Sequence, residues 1–172
     1  MFKEVAEKGC SVLHLATHGF FETMNTKVNI PGLQGAYKPM DLTGVVMSNG
    51  NEGWLHGNTM HHEGILTATD IAKIDLSRTK LVVLSACYTG EGVVRSDGVF
   101  GLQRAFKKAG AGSLVMSLWN ESDEVGSQFM SVFYSYLLSK GIDKKKAFKL
   151  AKIEIRRRFP HPLFWANFIM ID

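Results

Sequence analysis

Residues 80–86, Lys-Leu-Val-Val-Leu-Ser-Ala, hold four successive apolar positions, Leu81 to Leu84, with β-branched Val82 and Val83 at their centre. A strand that is apolar on both faces must be covered on both, as happens when helices pack on each side of a parallel sheet. Shorter runs at 11–16, 113–119 and 165–171 predict three further strands. Between them, Val99, Leu102, Ala105 and Phe106 recur at helical spacing within 97–108, closed by Gly110 and Gly112. Within 124–139, Val125, Phe129, Val132, Phe133, Tyr136 and Leu137 form one stripe that Gly141 ends. Thr67-Ala-Thr-Asp70 offers a capping residue ahead of a short helix at Ile71–Ile74. Strands alternating with helices predict an α/β fold with a mostly parallel sheet.

Residues 20–66 are the irregular part, where 42–48 and the stretch after Asn49-Gly50-Asn51 predict a hairpin. No repeat or linker divides the chain, so residues 1–172 are expected to form a single domain. The hydrophobic content of 45% is enough for a real core, and 21% charged residues with four prolines exclude a disordered or low-complexity chain. Apolar runs such as 81–84 are too short to cross a bilayer, and the amino terminus lacks an apolar signal core. The expectation is a soluble, cytoplasmic protein that does not contact membranes.

Two cysteines are too few for a disulfide framework, and Cys10 is expected to be structural. The net charge of +4 is local, because residues 143–158 carry eight Lys or Arg against Asp143 and Glu154, leaving −2 elsewhere. Ala147, Leu150, Ala151 and Ile155 give that segment a core face, so its charges are those of a solvated helix. No aromatics interleave the basic face and no known binding motif appears, so a nucleic-acid or acidic-partner surface is the minor option there.

His18 and Cys87 each follow the C-terminal end of a predicted strand, where open α/β sheets place their sites. An imidazole beside a thiol supplies a proton acceptor and stabilises the thiolate, so the pair suffices for nucleophilic catalysis. Gly19 lets a backbone N–H approach a substrate oxyanion, and Gly90 keeps the turn after Cys87 open. Spacing alone leaves the alternative open, since a cysteine after a strand is often a small buried hydrophobe. His14, inside the first predicted strand, is expected to be a satisfied core histidine. His56, His61, His62 and Glu63 lie in a Gly/Asn-rich loop without metal-ligand spacing, and a solvated loop is the expectation there. Asp123 can cap the helix that follows it or serve a site; Asp97 has the same ambiguity, and Glu121 is weaker.

Seven ordered blocks carry a family resemblance: residues 14–19 (HLATHG), 64–71 (GILTATDI), 81–90 (LVVLSACYTG), 101–106 (GLQRAF), 109–113 (AGAGS), 117–119 (SLW) and 161–165 (HPLFW). The chain resembles the CHAT domain, a caspase-like family similar to separase and other clan CD cysteine peptidases. That resemblance implies a caspase-like three-layer sandwich and a cysteine endopeptidase acting through a His18–Cys87 dyad, with no third triad member, metal or cofactor. It implies an oxyanion hole from the Gly19 N–H and that of Cys87. It places Asp123, with Ser117 and Trp119, at the substrate position before the scissile bond, where a carboxylate favours Arg or Lys.

The implied partners are a protein or peptide substrate and a neighbouring helical repeat module. The chain departs from the family by starting near the His-bearing strand, so it is expected to be the catalytic C-terminal portion of a longer domain. The missing amino-terminal half would cover an exposed sheet edge. The alternative is a catalytically silent caspase-like scaffold or interaction module, open to regulation by a partner or nucleic acid.

Overall fold

The structure is a computed structural model that describes residues 2–21, 39–50, 64–86, 89–90, 92–95, 98–120 and 122–172. From the amino terminus come α1 (Phe2–Lys8), β1 (Val12–Ala16), β2 (His18–Phe21), a 3₁₀ turn (Pro39–Asp41), β3 (Thr43–Val46), β4 (Ile65–Thr67) and α2 (Ala68–Ile71). The middle holds β5 (Leu81–Ser85), β6 (Gly92–Arg95), β7 (Gly98–Gly101), α3 (Leu102–Lys108) and β8 (Ser113–Ser117). The chain then forms α4 (Asp123–Tyr134), a π-helical turn (Ser135–Ser139), α5 (Lys144–Arg158), α6 (Pro162–Trp165) and β9 (Phe168–Ile171).

The main sheet has the order β1-β5-β8-β9. The first three strands are parallel and β9 is antiparallel to β8. The double-sided apolar pattern of 80–86 is explained directly, because alternate residues of β5 feed two separate cores. Val82 and Leu84 join Leu13, Leu15, Leu102, Phe106, Leu114 and Met116 beneath α2 and α3. Leu81 and Val83 join Val115, Phe129, Phe133, Ala147, Ala151, Ile155 and Phe168 beneath α4 and α5. The result is a three-layer α/β sandwich with a mostly parallel sheet, as the sequence predicts.

Local chemistry sets the helix starts. The Thr67 side chain accepts from the Asp70 N–H while Asp70 reaches back to the Thr67 backbone, a complete capping box for α2. Ser122, not Asp123, caps α4 by accepting from the Val125 N–H, so Asp123 is the first helical residue. Asp143 caps the basic helix α5, accepting from the N–H groups of Lys145 and Lys146. Ala147, Ala151 and Ile155 of that helix are buried.

Three local expectations are corrected. The predicted helix over 97–108 begins only at Leu102, because Gly98–Gly101 pairs antiparallel with Gly92–Arg95 as a hairpin. A Cβ on Gly92 would stand 2.6 Å from the Phe100 carbonyl oxygen, so glycine permits this pairing, and Val99 matched helical spacing by coincidence. Residues 17–19 are not merely a turn: after Thr17 the chain continues as β2, in an antiparallel sheet of order β2-β3-β4. The fourth predicted strand starts at Phe168, three residues later than expected, because Trp165 belongs to α6.

β3, within the predicted strand 42–48, pairs antiparallel with β4 at Ile65–Thr67, while the stretch after Asn51 that was the expected hairpin partner lies outside the described residues. Asn49 takes a left-handed conformation (φ 69°) and the Gly50 N–H donates to Met47 at 3.0 Å. Among the described residues, no helix is long and apolar enough to cross a membrane.

Candidate active site

Three parallel strands end side by side, and each delivers a candidate residue to the same edge of the sheet. β1 ends at Ala16, after which the Thr17 N–H donates to the Ser85 carbonyl at 3.3 Å and its hydroxyl donates to the Val46 carbonyl. Thr17 therefore ties β1 to the ends of both β5 and β3, fixing where His18 emerges. His18 opens β2 opposite Val46 and is exposed, and Gly19 is half-buried opposite Val45. β5 leads through buried Ala86 towards Cys87, which lies outside the described residues. β8 ends at Ser117, and the helix after it begins at Asp123.

A cleft of about 320 Å³ joins these ends. Its walls include Ala16, Thr17 and His18 on one side, Ser85, Ala86 and Ser117 on the floor, and Asp123, Ser127 and Met130 from α4 on the other. The structure thus brings together His18, Ser117 and Asp123 beside the residue that precedes Cys87. A second cleft of about 500 Å³ is lined by Thr17, His18, Val46 and Asn49 among others. His18 and Thr17 line both clefts.

Trp119 is not among the residues lining the main cleft. Its indole N–H donates to the Leu163 carbonyl at 3.1 Å, and its backbone N–H donates to Asn167 Oδ1 at 2.9 Å. Ser117 is almost completely buried, at 1% exposure, and its hydroxyl donates to the Ala86 carbonyl. Cys10 is half-buried against the α3-side core with its sulfur 3.9 Å from Thr79 Oγ1, in keeping with a structural role. Asp97, Glu121, His56, His61, His62 and Glu63 fall outside the described residues. Among the described residues, no three His, Cys, Asp or Glu side chains group as metal ligands.

His14 departs from its expected place in the core. β1 is an edge strand of the main sheet, so α4 covers its outer face only in part, and His14 lines the cleft wall. Its Nδ1 is 3.1 Å from the Tyr134 hydroxyl, and the rings are 5.5 Å apart. Burial lowers the His14 pKa and pushes that of Tyr134 up to about 12. A protonated phenol can then donate to a neutral imidazole, presenting an uncharged wall to the cleft. Alternation along β1 puts residue 14 on the same face as Ala16, which was the signal available in the sequence for this placement.

Comparison with known proteins bears on the whole chain. The profile of the CHAT domain family matches residues 1–172. Tetratricopeptide repeat protein 28 of Homo sapiens is 37% identical over 111 residues, which is 63% of this chain and 4% of that protein. The Mus musculus protein of the same name gives the same identity over the same length. The match therefore spans about 4% of the length of these curated relatives.

Proposed function

The chain belongs to the CHAT domain family, a caspase-like, peptidase-related family, and from that premise we propose that it is a cysteine endopeptidase cleaving after a basic residue. The observation that carries this reading is the cleft in which His18 and Asp123 face the strand end that leads into Cys87. Cys87 thiolate attacks the peptide carbonyl carbon, and the carbonyl π electrons move to oxygen as the C–S bond forms. The backbone N–H groups of Gly19 and Cys87 stabilise that oxyanion. Collapse breaks the C–N bond, and His18, carrying the proton taken from the thiol, gives it to the leaving amine. Water, deprotonated by His18, then hydrolyses the thioester and regenerates the thiol.

Asp123 is exposed at the cleft wall in the first turn of α4, where an acceptor carboxylate suits a guanidinium or ammonium side chain. Burial lowers the pKa of His14, which lines the same cleft, and so disfavours a competing positive charge there. The name of the relatives supports a tetratricopeptide-type helical repeat module as a neighbour of this domain.

The test is hydrolysis of a peptide series that differs only in the residue before the scissile bond. Peptides with Arg or Lys there should be cleaved best. Asp123→Asn should lower kcat/KM for them by about 10- to 100-fold, the worth of one charge-assisted hydrogen bond, and change neutral peptides little. Equal losses on all peptides would remove Asp123 from the specificity pocket, and no cleavage of any peptide would favour a silent scaffold.

A further inference from the structure

We propose that Ser117 and Thr89 form a buried hydrogen-bonded bracket that holds the chain on both sides of residues 87 and 88 and thereby sets the reactivity of the Cys87 thiol; the consequence for catalysis rests on the peptidase reading above. Ser117 is 1% exposed and Thr89 is fully buried, so neither side chain is free to reach a substrate. They hold the chain on both sides of residues 87 and 88. Upstream, the Ser117 hydroxyl donates to the Ala86 carbonyl. Downstream, the Ser117 N–H donates to Thr89 Oγ1 at 3.1 Å, and the Gly90 N–H donates to the Ser117 carbonyl at 2.7 Å.

A hydroxyl has one proton, and that of Ser117 is committed to Ala86, so the Thr89 hydroxyl is the donor of this pair, within reach of Ser117 Oγ at 3.3 Å and of the Ser117 carbonyl at 3.5 Å. Every polar group of Ser117 is therefore used to hold the segment around Cys87. The approach is also sterically selected: a Cβ on Gly90 would stand 2.9 Å from the Ser117 carbonyl oxygen. A larger residue there would push the two segments apart.

The bracket is itself anchored. Asn167, buried at the start of β9, accepts through Oδ1 from the N–H groups of Leu118 and Trp119, each at 2.9 Å. The Trp119 indole is held by Leu163. Residues 117–119 are thus pinned to the scaffold, and Ala86, Thr89 and Gly90, which flank residues 87 and 88, are pinned to Ser117. Nucleophile and specificity wall share one frame, so loosening the frame displaces the thiol without deleting any group that touches substrate.

The test is the pH profile of Cys87 alkylation by iodoacetamide, read by peptide mapping so that Cys10 is counted separately, in the wild-type chain, Ser117→Ala, Thr89→Val and Thr89→Ser. A thiol held against His18 should alkylate with a midpoint below the ordinary value of about 8.5. In Ser117→Ala and Thr89→Val that midpoint should move back towards the ordinary value, and Thr89→Ser, which keeps the hydroxyl, should restore it. On a good peptide, kcat should fall roughly 10- to 100-fold in the first two variants while KM stays within about threefold.

An unchanged alkylation profile in folded Ser117→Ala and Thr89→Val overturns the bracket, as does a wild-type midpoint already at the ordinary value. If Ser117→Ala does not fold, the comparison of Thr89→Val with Thr89→Ser decides alone. Failure of the peptidase reading looks different. There the profile shifts as stated, but the wild-type chain cleaves no peptide.

Discussion

Replacing His18 with Ala is expected to lower kcat/KM for the best basic peptide by about 10²- to 10⁴-fold, the range by which a positioned acid–base group accelerates a reaction. On the proposed peptidase reading the loss is large because one imidazole would serve every proton transfer: withdrawing the thiol proton, protonating the leaving amine and activating the water. Among the described residues, His14 is the other imidazole that lines this cleft, but burial lowers its pKa and Nδ1 is committed to the Tyr134 phenol. Since His18 is exposed and belongs to neither buried core cluster, truncation removes no core contact, and the melting temperature should stay near that of the wild type. Steady-state kinetics of His18→Ala and His14→Gln side by side check this. A large loss in His18→Ala alone fits the assignment, and a larger loss in His14→Gln would move the base to residue 14.

The second large effect concerns the scaffold. Phe129 is fully buried in α4, stacks on Phe168 of β9 with centroids 4.2 Å apart, and meets Phe148 of α5 edge-on at 5.5 Å. It joins the two helices of one layer to the antiparallel edge of the sheet. Phe129→Ala should therefore cost about 3–5 kcal/mol, combining lost transfer energy with the cavity left behind. Phe129→Leu, which keeps most of the volume, should cost less than half as much. Chemical denaturation of the three chains measures the difference. A cost for Phe129→Ala within that of an ordinary surface substitution would mean that this aromatic cluster is not what holds α4, and with it Asp123, in place.

Much of this architecture was legible along the chain because burial repeats with the period of each element. The two-sided pattern of β5 announced two helix layers, and the stripe from Val125 to Phe133 announced α4. Thr67 and Asp70 announced a helix start through a side-chain hydrogen bond that involves only neighbouring residues. What periodicity misses is pairing between segments distant in sequence. The hairpin of β6 and β7 depends on Gly92 lying against Phe100, and Val99 fits a helical pattern equally well. His14 was assigned to the core because a strand interior is usually covered, and its edge position in the sheet is a tertiary fact.

The site divides the same way. His18 and Asp123 were marked by the strand and helix ends they occupy, and the cleft brings them together. The bracket joins residues 28 and 31 positions apart, and Asn167 reaches back 48 and 49 positions to the loop. Neither leaves a local pattern. Trp119 stood in the same short motif as Ser117, yet its indole is spent on Leu163. Proximity in sequence did not carry both into the cleft.

The central claim is that Cys87 is a nucleophile assembled with His18 in a substrate cleft. It is tested most directly by intact-mass measurement after treatment with a peptidyl acyloxymethyl ketone bearing Lys or Arg next to the reactive carbon. The account predicts one adduct per chain, located on Cys87, absent in Cys87→Ala and strongly slowed in His18→Ala, with Cys10 unmodified. A Cys87 that takes neither this probe nor iodoacetamide, or an adduct that persists in Cys87→Ala, would contradict it.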